Sequence, residues 1–96
     1  MTQEQTVQAA LHILNKSPGH PRFATCLAAL HEGDTLVLTE NAVLALADSN
    51  TGLPRNCVAL GPDLQARGLA GSLDVQAISY RELVRLTAEH SRTVSW

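Results

Sequence analysis

Apolar residues occur along this chain in four short runs, and clusters of polar, glycine and proline residues separate the runs. The runs cover residues 10–14, 35–39, 57–60 and 75–78. Short runs that are mostly apolar are typical of parallel strands whose two faces are both covered by helices. The pattern therefore predicts four such strands, and we expect the run at residues 10–14 to be the central strand of the sheet.

Helical spacing fills the gaps between the first strands. After Pro21, which suits the first position of a helix, apolar side chains recur every three or four residues and predict a helix over residues 21–31. Asn41 is expected to cap a short helix over residues 42–47, because its side chain accepts a free amide hydrogen of the first turn.

The second half of the chain continues the alternation. Pro62 suits the first position of another short helix, and Ser79 with Glu82 forms a capping box that starts a helix over residues 80–90. Residues 93–96 are rich in β-forming side chains and are expected to close one edge of the sheet. Strands that alternate with helices in this way predict an α/β fold with a mainly parallel sheet.

The chain is short, and its core is poor in aromatic side chains. Of the 96 residues 45% are hydrophobic, but the aromatic residues are only Phe23, Tyr80 and Trp96. We expect one domain over residues 10–96, with residues 1–9 as a flexible leader before the first strand. Because a small domain buries a smaller fraction of its surface than a large one, association with partner subunits is expected to stabilise it.

The charge balance argues against direct contact with nucleic acid. Seven basic and nine acidic residues give a formal net charge of -2, and the basic residues are scattered along the chain. Phosphate backbones are bound by clustered basic residues, so direct nucleic-acid binding is not expected. No apolar run approaches the roughly 20 residues of a membrane span, and no export signal precedes the first strand. Both observations favour a cytoplasmic protein that does not enter a membrane.

Cys26 lies at the border of the apolar stripe on the first predicted helix, and two interpretations of it remain open. It either packs as a small apolar side chain or acts as a nucleophilic, sulfur-carrying thiol. The helix dipole has faded more than one turn into the helix, so activation of the thiol requires neighbouring groups. Lys16 and His20, in the loop after the first strand, are the candidates for that role.

The other candidate groups favour structural roles. Cys57 opens a predicted strand and is expected to pack, and His12 within a strand is expected to form hydrogen bonds rather than act as a base. The two cysteines and four histidines of the chain lack the paired spacing of zinc sites. The turn after the first strand is not a glycine-rich phosphate-binding loop, so we expect neither a metal nor another cofactor.

Several short segments, taken in their order along the chain, resemble the DsrH/TusB family. They are Leu11-His12, Asn15-Lys16-Ser17-Pro18, Leu60-Gly61-Pro62-Asp63-Leu64, Ala66-Arg67-Gly68, Leu86-Thr87 and Trp96. The resemblance implies a small flavodoxin-like α/β fold. It also implies one subunit of a heterohexameric sulfur-relay complex, with TusC/TusD-like (DsrE/DsrF-like) subunits as the partners.

The resemblance further implies an accessory role in one of two pathways. Complexes of the TusBCD type pass persulfide sulfur to a downstream acceptor protein and toward 2-thiolation of wobble uridine in tRNA, whereas complexes of the DsrEFH type serve sulfur oxidation. The principal sulfur-accepting cysteine of these complexes belongs to a different subunit.

Cys26 falls close to a cysteine that DsrH-type members have and many TusB-type members lack. We therefore expect an accessory sulfurtransferase subunit, with tRNA thiolation preferred to sulfur oxidation. Cys26 is a candidate sulfur carrier, and a purely structural subunit is the alternative.

Overall fold

The structure, a computed structural model, describes residues 9–48, 51–71 and 74–96, and its strands form one parallel sheet. Residues 1–8 of the predicted leader lie outside the described residues. In chain order the elements are β1 (Leu11–Leu14), α1 (Pro21–Ala29), β2 (Thr35–Leu38), a 3₁₀ helix (Glu40–Ala47), β3 (Cys57–Leu60), α2 (Gly61–Ala66), β4 (Gln76–Ile78), α3 (Tyr80–Glu89) and β5 (Thr93–Ser95). The predicted α/β class with a parallel sheet is thereby confirmed.

The strand order is β4-β3-β2-β1-β5, with every neighbouring pair parallel. The prediction that the run at residues 10–14 is the central strand is wrong, because β2 holds that position. Short crossovers place successive strands side by side, so β2, β3 and β4 add on one side of β1 and only β5 joins the other. The order also differs from the 2-1-3-4-5 order of flavodoxin itself, since β1 here lies between β2 and β5.

The two faces of the sheet are covered unequally. The connections β1–β2, β2–β3 and β3–β4 each lead to the next strand in the same direction across the sheet. Because such crossovers are right-handed, they put α1, the 3₁₀ helix and α2 on one face. The connection from β4 to β5 runs in the opposite direction and puts α3 on the other face. Side chains of β2 show the alternation, since Leu36 and Leu38 join the larger apolar cluster and Val37 joins the smaller one. The larger cluster also holds Leu14, Phe23, Cys26, Ala42, Val43, Ala45, Ala59 and Leu64. In the part of the chain that the structure describes, α3 is the one helix on the second face, where Leu83 and Leu86 pack on the smaller cluster.

The capping box predicted at the start of α3 is confirmed. Ser79 is the N-cap, and its side-chain oxygen accepts a hydrogen bond from the Glu82 backbone N–H at 3.1 Å. The Glu82 carboxylate accepts in turn from the Ser79 backbone N–H at 2.8 Å. Two amide hydrogens that would otherwise lack partners are thus satisfied.

None of the helices in the part of the chain that the structure describes is long and apolar enough to cross a membrane.

The short helix predicted to follow Asn41 forms, but Asn41 does not cap it. It is a 3₁₀ helix that begins at Glu40, and Thr39 at its N-cap position makes no side-chain capping bond. Glu40 has a backbone φ of 48°, and its N–H donates to the Asp63 carboxylate of α2 at 2.7 Å. The helix therefore begins before Asn41, and a contact from a distant helix satisfies its first amide. The Asn41 side-chain oxygen instead accepts hydrogen bonds from the Arg67 guanidinium at 2.9 and 3.3 Å.

Candidate functional site

The sequence order of the strands reverses between β1 and β5, and the carboxyl ends of these two strands meet at one edge of the sheet. Ligands of open α/β sheets bind outside the carboxyl ends of the strands at such a reversal. Lys16, in the loop after β1, joins the two strand ends here. Its Nζ donates to the Asn15 side-chain oxygen at 2.6 Å and to the Trp96 backbone oxygen at 2.8 Å. This edge of β1 and β5 is the candidate site by position, and Lys16 supplies its positive charge.

His20 has a defined structural role at the start of α1. Its Nδ1 accepts a hydrogen bond from the Arg22 backbone N–H at 3.0 Å, which caps the helix. Pro21 follows at the first helical position, as the sequence predicts. The His20 side chain is exposed at the helix start, four positions after Lys16 in the sequence.

Cys26 lies inside the core and not at its rim. Its relative exposure is 0%, and it belongs to the larger apolar cluster together with Phe23 and Leu38. Burial in this apolar environment raises the pKa of the Cys26 thiol to about 11. The hydrogen bonds found for Lys16 and His20 in the described ranges go to other groups and not to this sulfur. A thiol-activating role for these two residues stays a prediction.

Cys57 is partly buried at the start of β3 and packs against the larger cluster. Its sulfur lies 4.0 Å from the Val58 backbone oxygen, and burial raises the pKa of the thiol to about 12. With their pKa values well above neutral pH, both thiols are almost entirely protonated in this chain by itself. A nucleophilic thiolate therefore requires a change in the surroundings of either cysteine.

His12 has two buried hydrogen-bond partners that are distant in sequence. Its Nε2 lies 2.9 Å from the Asp34 carboxylate, and its Nδ1 accepts from the Trp96 indole N–H at 3.1 Å. An indole nitrogen only donates, so Nδ1 of His12 must be unprotonated and Nε2 must carry the ring hydrogen. The His12 and Trp96 rings lie nearly parallel, with centroids 6.2 Å apart. The expectation that His12 is a hydrogen-bonded structural residue agrees with this arrangement.

The Asp34 carboxylate completes this network immediately before β2. Its oxygens accept from the backbone N–H groups of Ala10 at 2.9 Å and His31 at 3.0 Å, in addition to the bond with His12. Burial alone would raise the pKa of Asp34, but the two backbone donors and the His12 ring outweigh it and lower the pKa to about 2. Asp34 is therefore an anion at neutral pH.

Sequence reasoning missed Asp34 and Trp96 as members of this network. The only local signal for Asp34 is its position after Gly33 in a turn, which suits any short polar residue. Its partner His12 lies 22 positions earlier, and Trp96 lies 84 positions after His12.

No group of three or more His, Cys, Asp and Glu side chains arranged to hold a metal occurs among residues 9–48, 51–71 and 74–96.

Comparison with known proteins gives one consistent result. The model of a family described as DsrH like protein matches residues 16–93. Protein TusB of Escherichia coli O81 (strain ED1a) is 42% identical over 94 aligned residues, which cover 90% of this chain and 99% of the relative. The TusB proteins of Escherichia coli O6:K15:H31 (strain 536 / UPEC) and Shigella boydii serotype 18 (strain CDC 3083-94 / BS512) match at the same identity and coverage. The similarity therefore extends over nearly the full length of both chains.

Proposed function

This chain belongs to the DsrH/TusB family of sulfur-relay subunits, and from that membership we propose that it supports 2-thiolation of the wobble uridine of tRNA. The observation that carries the proposal is the 42% identity to TusB proteins over 90% of the chain. The alignment covers 99% of that relative, so the aligned part of this chain corresponds to a whole TusB protein.

In this proposal the chain works in the cytoplasm with TusC/TusD-like subunits in a heterohexamer, which passes sulfur to a downstream acceptor protein. Unequal coverage of the sheet supports an assembled state. No side chain of α3 is fully buried, and Tyr80 and Val84 on that helix are 59% and 67% exposed. Large apolar side chains that are this exposed in a small domain are suited to burial by a partner.

The chain has an accessory role within this complex. The Cys26 thiol is fully buried, and its pKa is raised to about 11, which opposes formation of the thiolate that attacks a persulfide. These two properties favour the purely structural alternative, in which a cysteine of a partner subunit carries the sulfur. Transfer through Cys26 stays a prediction, and it requires that assembly expose this thiol.

A DsrH-type role in sulfur oxidation is the second candidate function. The observation that favours it is the match of residues 16–93 to the family model described as DsrH like protein. Both candidate functions place the chain in a persulfide-transfer complex, so they differ in the final acceptor of the sulfur and not in the kind of chemistry.

Complementation tests the tRNA branch directly. The chain is expressed in bacteria that lack their own TusB, and 2-thiouridine in hydrolysed tRNA is measured by mass spectrometry. Bacteria with an empty vector and bacteria with Escherichia coli TusB are the two controls. We expect this chain to restore the thiolated nucleoside and to co-purify with the TusC- and TusD-type subunits of the host.

The two measurements separate the parts of the proposal. Co-purification without restored thiolation would contradict the tRNA branch and leave the sulfur-relay subunit in place, which favours sulfur oxidation. If neither co-purification nor thiolation is observed although the folded chain accumulates, the proposed complex is wrong.

A further inference from the structure

The Asp34–His12–Trp96 network connects the buried face of β1 to the Lys16 side chain at the edge of the sheet. Trp96 takes part through three groups. Its indole N–H donates to His12 Nδ1 at 3.1 Å, its backbone N–H donates to the Ile13 oxygen at 2.9 Å, and its backbone oxygen accepts from Lys16 Nζ at 2.8 Å. The side chain of Trp96 is thus held by His12, while its backbone holds Lys16.

Protonation of His12 acts differently on its two hydrogen bonds. In the neutral ring Nε2–H donates to Asp34 and Nδ1 accepts from Trp96. A second proton on the ring has to bind at Nδ1, which then becomes a donor and faces another donor, the indole N–H. The bond to the Asp34 carboxylate gains charge assistance, whereas the bond to Trp96 is lost.

The surroundings of His12 restrict which groups take part in this response. Asp34 faces the ring directly, and His31 Nδ1 lies 3.9 Å from the same carboxylate oxygen. The flanking strands Thr35–Leu38 and Thr93–Ser95 carry no titratable side chain. On α1, which covers this face, Cys26 is the buried titratable group, and it packs in the same cluster as Trp96. Lys16 contributes its charge on the far side of Trp96.

We infer that His12 is a proton-sensitive latch, which holds the Trp96 side chain while Nδ1 is unprotonated and releases it when Nδ1 gains a proton. Trp96 is anchored to β1 by the indole bond to His12 and by the backbone bond to Ile13, so release of the indole removes one of these two anchors and loosens the contact of the Trp96 backbone oxygen with Lys16. This inference does not depend on which pathway the chain serves.

The single tryptophan makes the latch observable without ambiguity. In ¹H–¹⁵N NMR spectra of the full chain, the one indole N–H signal is followed from pH 8 to pH 5, with intrinsic fluorescence measured in parallel. We expect the signal to be protected at pH 8 and to move along a single proton titration curve as the hydrogen bond is lost. His12→Gln keeps a donor for Asp34 but does not titrate, so its indole signal should be independent of pH. His31→Gln is the matched control and should titrate as the original chain does.

A second experiment tests the connection to Lys16 at a constant pH of about 7.5, near neutrality. The rate at which an amine-specific reagent acylates Lys16 is measured by peptide mass spectrometry. Trp96→Phe removes the indole donor but keeps an aromatic ring, and we expect acylation to become severalfold faster. Ser95→Ala, at the exposed neighbouring position, should leave the rate unchanged.

Several results would overturn the inference. An indole signal that does not change between pH 8 and pH 5 excludes the latch, and so does a titration that persists in His12→Gln or disappears in His31→Gln. If His12→Gln fails to fold, ¹⁵N shifts of the ring in the original chain still decide the question, because a ring already protonated at Nδ1 at pH 8 contradicts the latch. An unchanged acylation rate in Trp96→Phe refutes the control of Lys16.

Discussion

At the scale of single residues, the buried carboxylate of Asp34 is stabilised by three donors. Two are backbone N–H groups, of Ala10 and His31, and the third is the His12 ring. A buried anion is tolerated only when it is hydrogen-bonded, so each donor offsets part of the cost of removing the charge from water. The carboxylate also ties the segment before β1 to the turn before β2 and sets the orientation of the His12 ring.

The first prediction concerns Asp34→Asn. The amide has the size of the carboxylate but lacks its charge, so we expect the free energy of unfolding at pH 7 to fall by about 2 kcal/mol, the typical contribution of bonds to a charged group. The folded-state pKa of about 2 lies below the ordinary 3.8, so this stabilisation is present above pH 3.8 and is lost as the pH falls toward 2. Urea unfolding should therefore show the difference from the original chain shrinking over that interval. Asp74→Asn, at an exposed position, is the control and should change little. A difference independent of pH would mean that Asp34 is not ionised in the folded state.

The second prediction concerns the two thiols. Because Cys26 is fully buried, it should react with a thiol reagent only on the timescale of unfolding, and Cys57, which is partly exposed, should react first. Cys26→Ser places a hydroxyl in the apolar cluster and should cost about 1 to 3 kcal/mol, while Cys57→Ser should cost less. Labelling kinetics and urea unfolding measure both effects. Fast native labelling of Cys26 together with unchanged stability of Cys26→Ser would favour the sulfur-carrier hypothesis instead.

At the scale of elements, local patterns predicted nearly every helix and strand, and errors arose where distant contacts decide. The capping box of Ser79 and Glu82 is local, and the structure reproduces it. Asn41 is not the cap because the helix begins before it, at Glu40, and because its side-chain oxygen accepts from Arg67 of a distant segment. The position of β1 in the strand order could not be predicted either, because an apolar run indicates that a strand is buried but not which strands lie beside it. The partners of His12 follow from strand pairing and were missed for the same reason.

The third prediction uses the capping box of α3. This helix has no fully buried side chain, so its first turn depends on the cap more than on packing. Ser79→Ala removes the acceptor for the Glu82 amide and should lower the free energy of unfolding by about 1 kcal/mol. Ser91→Ala, at an exposed position after the helix, is the matched control. Equal urea midpoints for the two variants would show that the cap does not stabilise α3.

At the scale of the whole molecule, the fold leaves one layer incomplete. Among the described residues, three helical segments cover one face of the sheet, whereas α3 by itself covers the other and presents Tyr80 and Val84 to solvent. These two residues lie four positions apart and so share a face of the helix. A chain with this surface, a small core and three aromatic residues in all is expected to gain stability from a partner.

The last prediction tests that expectation with purified TusC- and TusD-type subunits. A partner present at 100 times its dissociation constant adds about 2.7 kcal/mol, which for a domain of this size raises the melting temperature by on the order of 10 °C. Val84→Arg should reduce this rise without lowering the melting temperature of the chain alone, because Val84 is 67% exposed. Leu44→Arg, at the 41% exposed Leu44 on the opposite face of the sheet, is the matched control and should keep the full rise. An equal rise in the original chain and in Val84→Arg would place the interface elsewhere, and a loss confined to Leu44→Arg would assign it to the 3₁₀ helix. No rise for the original chain would contradict the proposed complex, since binding to the folded state alone must stabilise it.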